Sequence, residues 1–292
     1  MASFIHQQIW TLAIDVFRLG IWLVLLTAVF VTLERVFTLR PQRIFRKGFL
    51  PDLGYFFLTS LLPSMLLSAP LAAVAWAAHR SVPPDWHAAV AAWPLWLRVV
   101  ATLAIGEVGF YWGHRWSHQV PLLWRFHAIH HSAEDIDWLV NTRAHPLDLV
   151  FGRLCGLVPL YVAGLAGPVG ASGSLLPAFV IVVGTGWGFF IHANVRWRLG
   201  WLEWLVSTPA FHHWHHTLDG HTNKNYAAML PWLDRMFGTH YLPATQWPAR
   251  YGASTPVGAS IGEQLLSPLL PRKPSRPDDL MAALPLNCRE RG

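Results

Sequence analysis

The stretch FHHWHHTLDGH, residues 211–221, carries five histidines in eleven positions. Within it His212, His215 and His216 form an HxxHH pattern, and WRFHAIHHS repeats that pattern as His127, His130 and His131. A third group, YWGHRWSH, sets His114 and His118 four residues apart, where two side chains share one helix face. Neutral imidazole suits zinc, copper, iron and nickel, so the residue type names no single metal. A structural zinc uses about four ligands. The eight histidines of the three patterns, with His192 as a ninth and His145 as a further candidate, therefore imply two metal ions. Cys155 and Cys288 are the only cysteines and lie far apart, which excludes a thiolate site and a disulfide framework. The scarcity of nearby carboxylates also argues against a Glu-rich di-iron bundle. Three chemistries stay open at this point: redox iron acting with dioxygen, zinc-dependent hydrolysis, and metal transport or sensing. The last would place histidines along membrane spans near the midplane, whereas these cluster at span ends.

The elements that must position these residues are written in an apolar composition. The chain has 292 residues, 53% hydrophobic and only 13% charged, well below the charged share of about a quarter in soluble domains. Seventeen Trp and sixteen Phe suit a bilayer interface, and the net charge of +6 is not gathered into a stripe, so nucleic acid is not expected as a partner. Apolar stretches near 9–33, 53–78, 95–113, 147–166 and 174–192 reach or approach the roughly 17–25 residues needed to cross the hydrocarbon layer. Pro63 and Pro70 are expected to kink the second, and the glycine-rich GPVGASG to join the last two. The first reads as a retained anchor rather than a cleaved signal. The fold class expected is an all-α integral membrane protein with about four to five transmembrane helices and a cytoplasmic histidine-rich helical cap. Its parts are membrane anchor helices over 1–94, a catalytic domain over 95–240 and a C-terminal cytoplasmic tail over 241–292.

Lys and Arg resist translocation, and the loop after the first span holds Arg35, Arg40, Arg43, Arg46 and Lys47. That loop is therefore placed in the cytoplasm. Five spans then put the N-terminus outside and bring 114–146, His192 and everything past 193 to the cytoplasmic side. Thirteen of the sixteen histidines fall in that set; His240 among them, like His6, His79 and His87 elsewhere, is isolated and read as a surface or interfacial residue.

In this order and spacing, HRWSH, HAIHH and FHHWHH resemble the fatty acid hydroxylase and sterol desaturase superfamily of membrane oxygenases. NTRAHP at 141–146, FIHANV at 190–195 and NKNYAAMLPWLDRMFGT at 223–239 extend the resemblance across about 100–240. It implies a helical membrane anchor under a cytoplasmic cap and a non-heme di-iron centre, two iron ions held by His114, His118, His127, His130, His131, His192, His212, His215 and His216. It also implies an O2-dependent lipid hydroxylase or desaturase, a monooxygenase-type oxidoreductase of fatty acyl, sterol or related lipids.

A ligating imidazole usually gives its other N–H to a carboxylate or carbonyl, which makes Asp135, Asp137, Asp148, Asp219 and Asp234 candidates to support the ligands. His145, Asn194 and His221 are further residues placed at the metals or next to their ligands, and His213 a neighbour. Glu107 lies inside a span, where a carboxylate is costly and faces a protein interior or cavity. Neither a flavin loop nor an iron–sulfur pattern is visible, so electrons are expected from a separate protein of ferredoxin, rubredoxin or cytochrome b5 type. Arg196, Arg198, Lys224 and Arg235 are candidates for its docking face. The lipid bilayer and a lipid substrate complete the expected partners, and a bacterial inner membrane is the expected location.

Overall fold

The computed structural model describes residues 2–166 and 175–270. Two long helices, α1 (Ala2–Val36) and α2 (Phe49–Ser81), precede the short α3 (Pro84–Ala91) and a third long helix, α4 (Leu95–Gln119). Then come α5 (Pro121–His131), α6 (Pro146–Val162) and α7 (Leu176–His192). The last helices are all short: α8 (Pro209–His215), α9 (Trp232–Met236) and α10 (Ile261–Leu266). Among the described residues there is no β-strand, only the isolated pairs Thr38 with Val195 and Thr217 with Tyr251.

Helices α1, α2 and α4 are long and apolar enough to cross a membrane. Helix α2 runs through Pro63 and Pro70 without a break. The stretches expected as fourth and fifth spans form α6 and α7, each of 17 residues, or about 25 Å at 1.5 Å per residue, the lower limit for a span. The GPVGASG segment between them lies outside the described residues. The third span is longer than hydropathy alone marks it, because α4 continues past residue 113 and carries His114 and His118 on its last turns.

Helices α4 and α6 approach closely because glycines face the contact. GFYWG places Gly109 and Gly113 one turn apart, and a Cβ at Gly113 would stand 2.7 Å from the Cβ of Cys155, nearer than real carbon atoms approach. Small residues four apart let two helix backbones meet in lipid, where hydrophobic burial does not drive association. This contact fixes the last turns of α4 against the middle of α6. Pro121 and Pro146 open α5 and α6, where a missing N–H costs no helix bond.

The loop between α1 and α2 is held from below by buried charge. The Arg46 guanidinium donates to Asp137 from Nε at 2.7 Å and to Asp52 from Nη2 at 2.7 Å, and Arg143 donates from Nε to the other Asp52 oxygen. Each carboxylate is thereby matched by a guanidinium, the condition under which buried ions are tolerated. The basic loop thus lies on the histidine side of the molecule. The chain after 240, expected as an extended tail, instead packs on that side through residue 270. Tyr55 Oη donates to Gln264, Trp124 Nε1 to Thr255, and Arg40 to the Pro248 carbonyl. The charged PRKPSRPDD stretch and Cys288 lie outside the described residues.

Candidate metal centre

The nine histidines expected as ligands fall into two groups whose ring nitrogens lie within 4.8 Å of one another. His114, His118, His127, His131 and His215 make one, and His130, His192, His212 and His216 the other. Each HxxHH pattern is shared between the groups. On α5, His127 and His131 sit four apart and face the first group, while His130 turns to the second; at α8, His212 and His216 face the second and His215 the first. The rings of His131 and His216 stack with centroids 4.4 Å apart, so the groups are contiguous.

The outer nitrogens are held by acceptors. Nδ1 of His114 lies 2.6 Å from the Tyr226 carbonyl, Nδ1 of His215 2.9 Å from that of Lys224, and Nδ1 of His130 3.0 Å from that of Arg143. Nδ1 of His192 lies 2.7 Å from the Gly188 carbonyl, and Nδ1 of His127 3.0 Å from a carboxylate oxygen of Asp148. Carbonyl and carboxylate oxygens only accept, so each of these nitrogens carries the ring's proton. In the neutral ring Nε2 is then a bare lone pair.

These lone pairs face one another. Nε2 of His114 is 3.1 Å from Nε2 of His127, and Nε2 of His130 is 3.3 Å from Nε2 of His192. Neither pair has a proton to share, so neither contact is a hydrogen bond. A metal with nitrogen ligands at about 2.0–2.1 Å separates neighbouring nitrogens by about 2.9 Å in octahedral and about 3.4 Å in tetrahedral geometry. The observed spacings lie in that range, as do those among His192, His212 and His216, at 3.0–3.2 Å. Both nitrogens of His118 and Nε2 of His215 are buried without any hydrogen-bond partner. The donor set fits metal ions in both groups.

Burial also keeps the rings neutral. Desolvation, reinforced by the neighbouring imidazoles, holds His130, His131, His212, His215 and His216 well below the usual histidine pKa. His213, between the ligand candidates, turns away: Nδ1 meets the Tyr251 hydroxyl at 2.7 Å and Nε2 the Ala193 carbonyl at 3.2 Å, and burial lowers its pKa to about 3.

The other expected residues divide. Asp148 touches His127, whereas Glu107 accepts the Met229 and Leu230 N–H groups at 2.6 and 3.2 Å and so fixes the segment before α9. His145 is in neither group, its Nδ1 capping α6 at Leu147 and its Nε2 donating to the Leu265 carbonyl. Asn194 ties its amide to the backbone of Arg40. Asp219 and His221 form a surface pair at 3.0 Å, and Asp135 is exposed. Asp137 belongs to the Arg46 network. Asp234 acts one step removed: it accepts from the N–H of Tyr226 and of Ala227 at 2.8 and 2.9 Å, fixing the segment whose carbonyl holds His114.

Sequence reasoning passes over the carbonyl donors and the residue that places two of them. Asn225 has φ 59°, the left-handed region that asparagine tolerates better than most. Its side-chain amide donates to the Phe211 and Tyr241 carbonyls and accepts from the Tyr241 N–H. That turn aims the carbonyls on either side of it, of Lys224 and Tyr226, at His215 and His114. The signal in the chain is the NKNY stretch itself, which begins seven residues beyond His216.

A cavity of about 310 Å³ opens from this centre between α2, α4, α6 and α7. His114, His127, His130, His192 and His212 form its polar end, and Leu103, Phe110, Leu157, Val180, Ile181 and Phe189 line its apolar length.

Residues 99–239 match the family model described as fatty acid hydroxylase. The chain is 36% identical over 178 residues to an ornithine lipid hydroxylase of Rhizobium tropici, covering 60% of this chain and 51% of that protein. It is 29% identical over 187 residues to an alkylglycerol monooxygenase of Xenopus tropicalis, covering 62% and 37%. With a very-long-chain aldehyde decarbonylase of Oryza sativa subsp. indica the identity is 30% over 160 residues, covering 50% and 25%. The matched region thus spans about half or less of the length of these relatives. No solved structure gives a significant match.

Proposed function

We propose that the segment matching the fatty acid hydroxylase family makes the chain a membrane-bound, O2-dependent lipid oxidoreductase, hydroxylating or desaturating a C–H bond. The observation that carries the reading is the facing of bare Nε2 lone pairs, of His114 and His127 at 3.1 Å in one histidine group and of His130 and His192 at 3.3 Å in the other, on the wall of a largely apolar cavity. We assign His114, His118, His127, His131 and His215 to one iron and His130, His192, His212 and His216 to the other. Bound there, iron would supply dioxygen activation with electrons delivered from outside, the cofactor doing the hard chemistry while the protein binds and orients.

The chain's own residues perform the rest. The carbonyls of Tyr226, Lys224, Arg143 and Gly188 and the Asp148 carboxylate hold the ring protons at Nδ1, so that every supported Nε2 is available as a donor. The leucines, phenylalanines and β-branched residues of the cavity take up an alkyl chain and exclude water from the reacting carbon. A lipid enters such a cavity from the bilayer with its apolar part never crossing water. Two of the relatives are named for oxidation of lipids, an ornithine lipid and an alkylglycerol, which supports a lipid here and favours iron over hydrolytic zinc.

The centre faces the cytoplasm by the positive charge of the loop whose Arg46 is bonded beneath the site, and the similarity to a protein of Rhizobium tropici supports a bacterial inner membrane. Electrons come from a separate carrier of ferredoxin, rubredoxin or cytochrome b5 type. Of the four basic candidates for its docking, Arg198 is paired with Glu203 and Arg235 lies over the Trp204 ring, leaving Arg196 and Lys224 as the better ones.

The test supplies purified, iron-loaded protein with a reductase system, isotopically labelled dioxygen and membrane lipid extract. Labelled hydroxyl in a lipid, or a new double bond formed with oxygen consumption, is expected. Oxygen-independent cleavage of a lipid by zinc-loaded protein would replace this reading with the hydrolase.

A further inference from the structure

Arg153 is the unexplained charge of the cavity. It sits in the middle of α6 and lines the same space as His114, His127 and His130. It is partly buried, and no carboxylate among the described residues forms an ion pair with it. The other charged group on the cavity wall away from the histidines, Glu107, is turned to the N–H groups of Met229 and Leu230. An arginine in an apolar helix is costly and faces a cavity or a partner when it occurs. Here the cavity is present and no partner is, among the described residues.

We propose that Arg153 binds an anionic group of the lipid substrate, a carboxylate or a phosphate, and so sets which lipids are accepted. The inference rests on the lipid-oxidising reading of the same cavity. The guanidinium fork matches either oxyanion with two parallel hydrogen bonds, and a low-dielectric wall strengthens them. Arg153 lies five residues beyond Asp148, which touches His127, so the two positions are about 7.5 Å apart along α6. The anionic group and the oxidised carbon are therefore near one another in the substrate, and the remaining alkyl chain extends along Leu157 and Ile181.

Calorimetric titration of the full chain in non-ionic detergent decides it, with three probes of equal chain length: an alkyl carboxylate, an alkyl phosphate and an alkyl alcohol. Wild type is expected to bind at least one anion ten-fold or more tighter than the alcohol, and whichever anion is preferred identifies the source as fatty acid or phospholipid. Arg153→Met should erase the preference and leave alcohol binding unchanged. Arg153→Lys, which keeps the charge without the fork, should weaken the preferred anion several-fold and decides the matter if the methionine variant does not fold. Equal binding of all three probes by wild type, or anion affinity unmoved by either substitution, overturns the proposal. Metal content is measured on the same preparations, because wild type that holds no metal overturns the oxygenase reading instead.

Discussion

Nε2 of His130 lies 3.3 Å from Nε2 of His192, although each ring already gives its Nδ1 proton to a backbone carbonyl, of Arg143 and Gly188. Two lone pairs are pressed together by helices α5 and α7, which are far apart in sequence. No hydrogen bond can join them, and their spacing fits a cation held between the two nitrogens.

Asp148→Asn keeps the size of the side chain but removes the charge that orients His127 through Nδ1. Loss of such an outer partner lowers metal affinity by about 10–100-fold. Competition with a chromophoric chelator should show this loss with the fold intact by circular dichroism; unchanged affinity would mean that His127 needs no such support.

Asn225→Ala removes three buried side-chain hydrogen bonds and leaves a residue at φ 59° that alanine adopts with strain. A cost of about 2–4 kcal/mol is expected from the unpaired carbonyls and the backbone together. Asn225→Gly relieves only the strain and should fall between wild type and alanine in thermal unfolding. Equal losses in the two variants would show that the conformation contributes nothing.

Acid should weaken the metal-free protein. In the unfolded chain these histidines take up protons near pH 6.5, whereas in the folded chain His213 resists protonation until about pH 3, and His131 and His216 stay well below the ordinary value. Between those limits the unfolded state binds more protons, so stability is full above about pH 6.5 and falls as pH drops, by about 1.4 kcal/mol per pH unit for each such group. Unfolding followed from pH 8 to pH 4 should show this slope, and His213→Asn should make it shallower. A flat profile would contradict neutral burial.

Gly113→Leu drives a side chain into Cys155 at the α4–α6 contact. Overpacking of this kind costs about 1–3 kcal/mol, and here it also shifts His114 against His127. Lower thermal stability together with reduced metal content is expected. Lost stability with full metal content would mean that the helix contact does not position the ligands.

Much of this site is legible in the chain itself, because HxxxH and HxxHH spacings translate directly into shared helix faces. Spacing alone therefore places His127 with His131, and His212 with His216. It does not tell which group His130 and His215 join, since that depends on how α5 and α8 face each other across the centre. Composition and hydropathy mark the long helices, yet they end the third at residue 113, where the sequence turns polar while the helix runs on to Gln119. The carbonyl donors are hidden for a different reason: a backbone oxygen leaves no trace in residue type, and Tyr226 and Lys224 act through theirs. Residues 241–270 read as a tail because their contacts with Tyr55, Arg40 and Trp124 are single polar bonds without periodicity.

The decisive measurement is the metal content of detergent-purified protein produced with iron supplied, as wild type, His192→Ala and His215→Ala. About two irons per chain are expected in the wild type and a loss of about one in each variant, since His192 and His215 belong to different groups. A wild type with a single ion, or with none, or both variants keeping the full complement, would contradict a two-metal histidine centre.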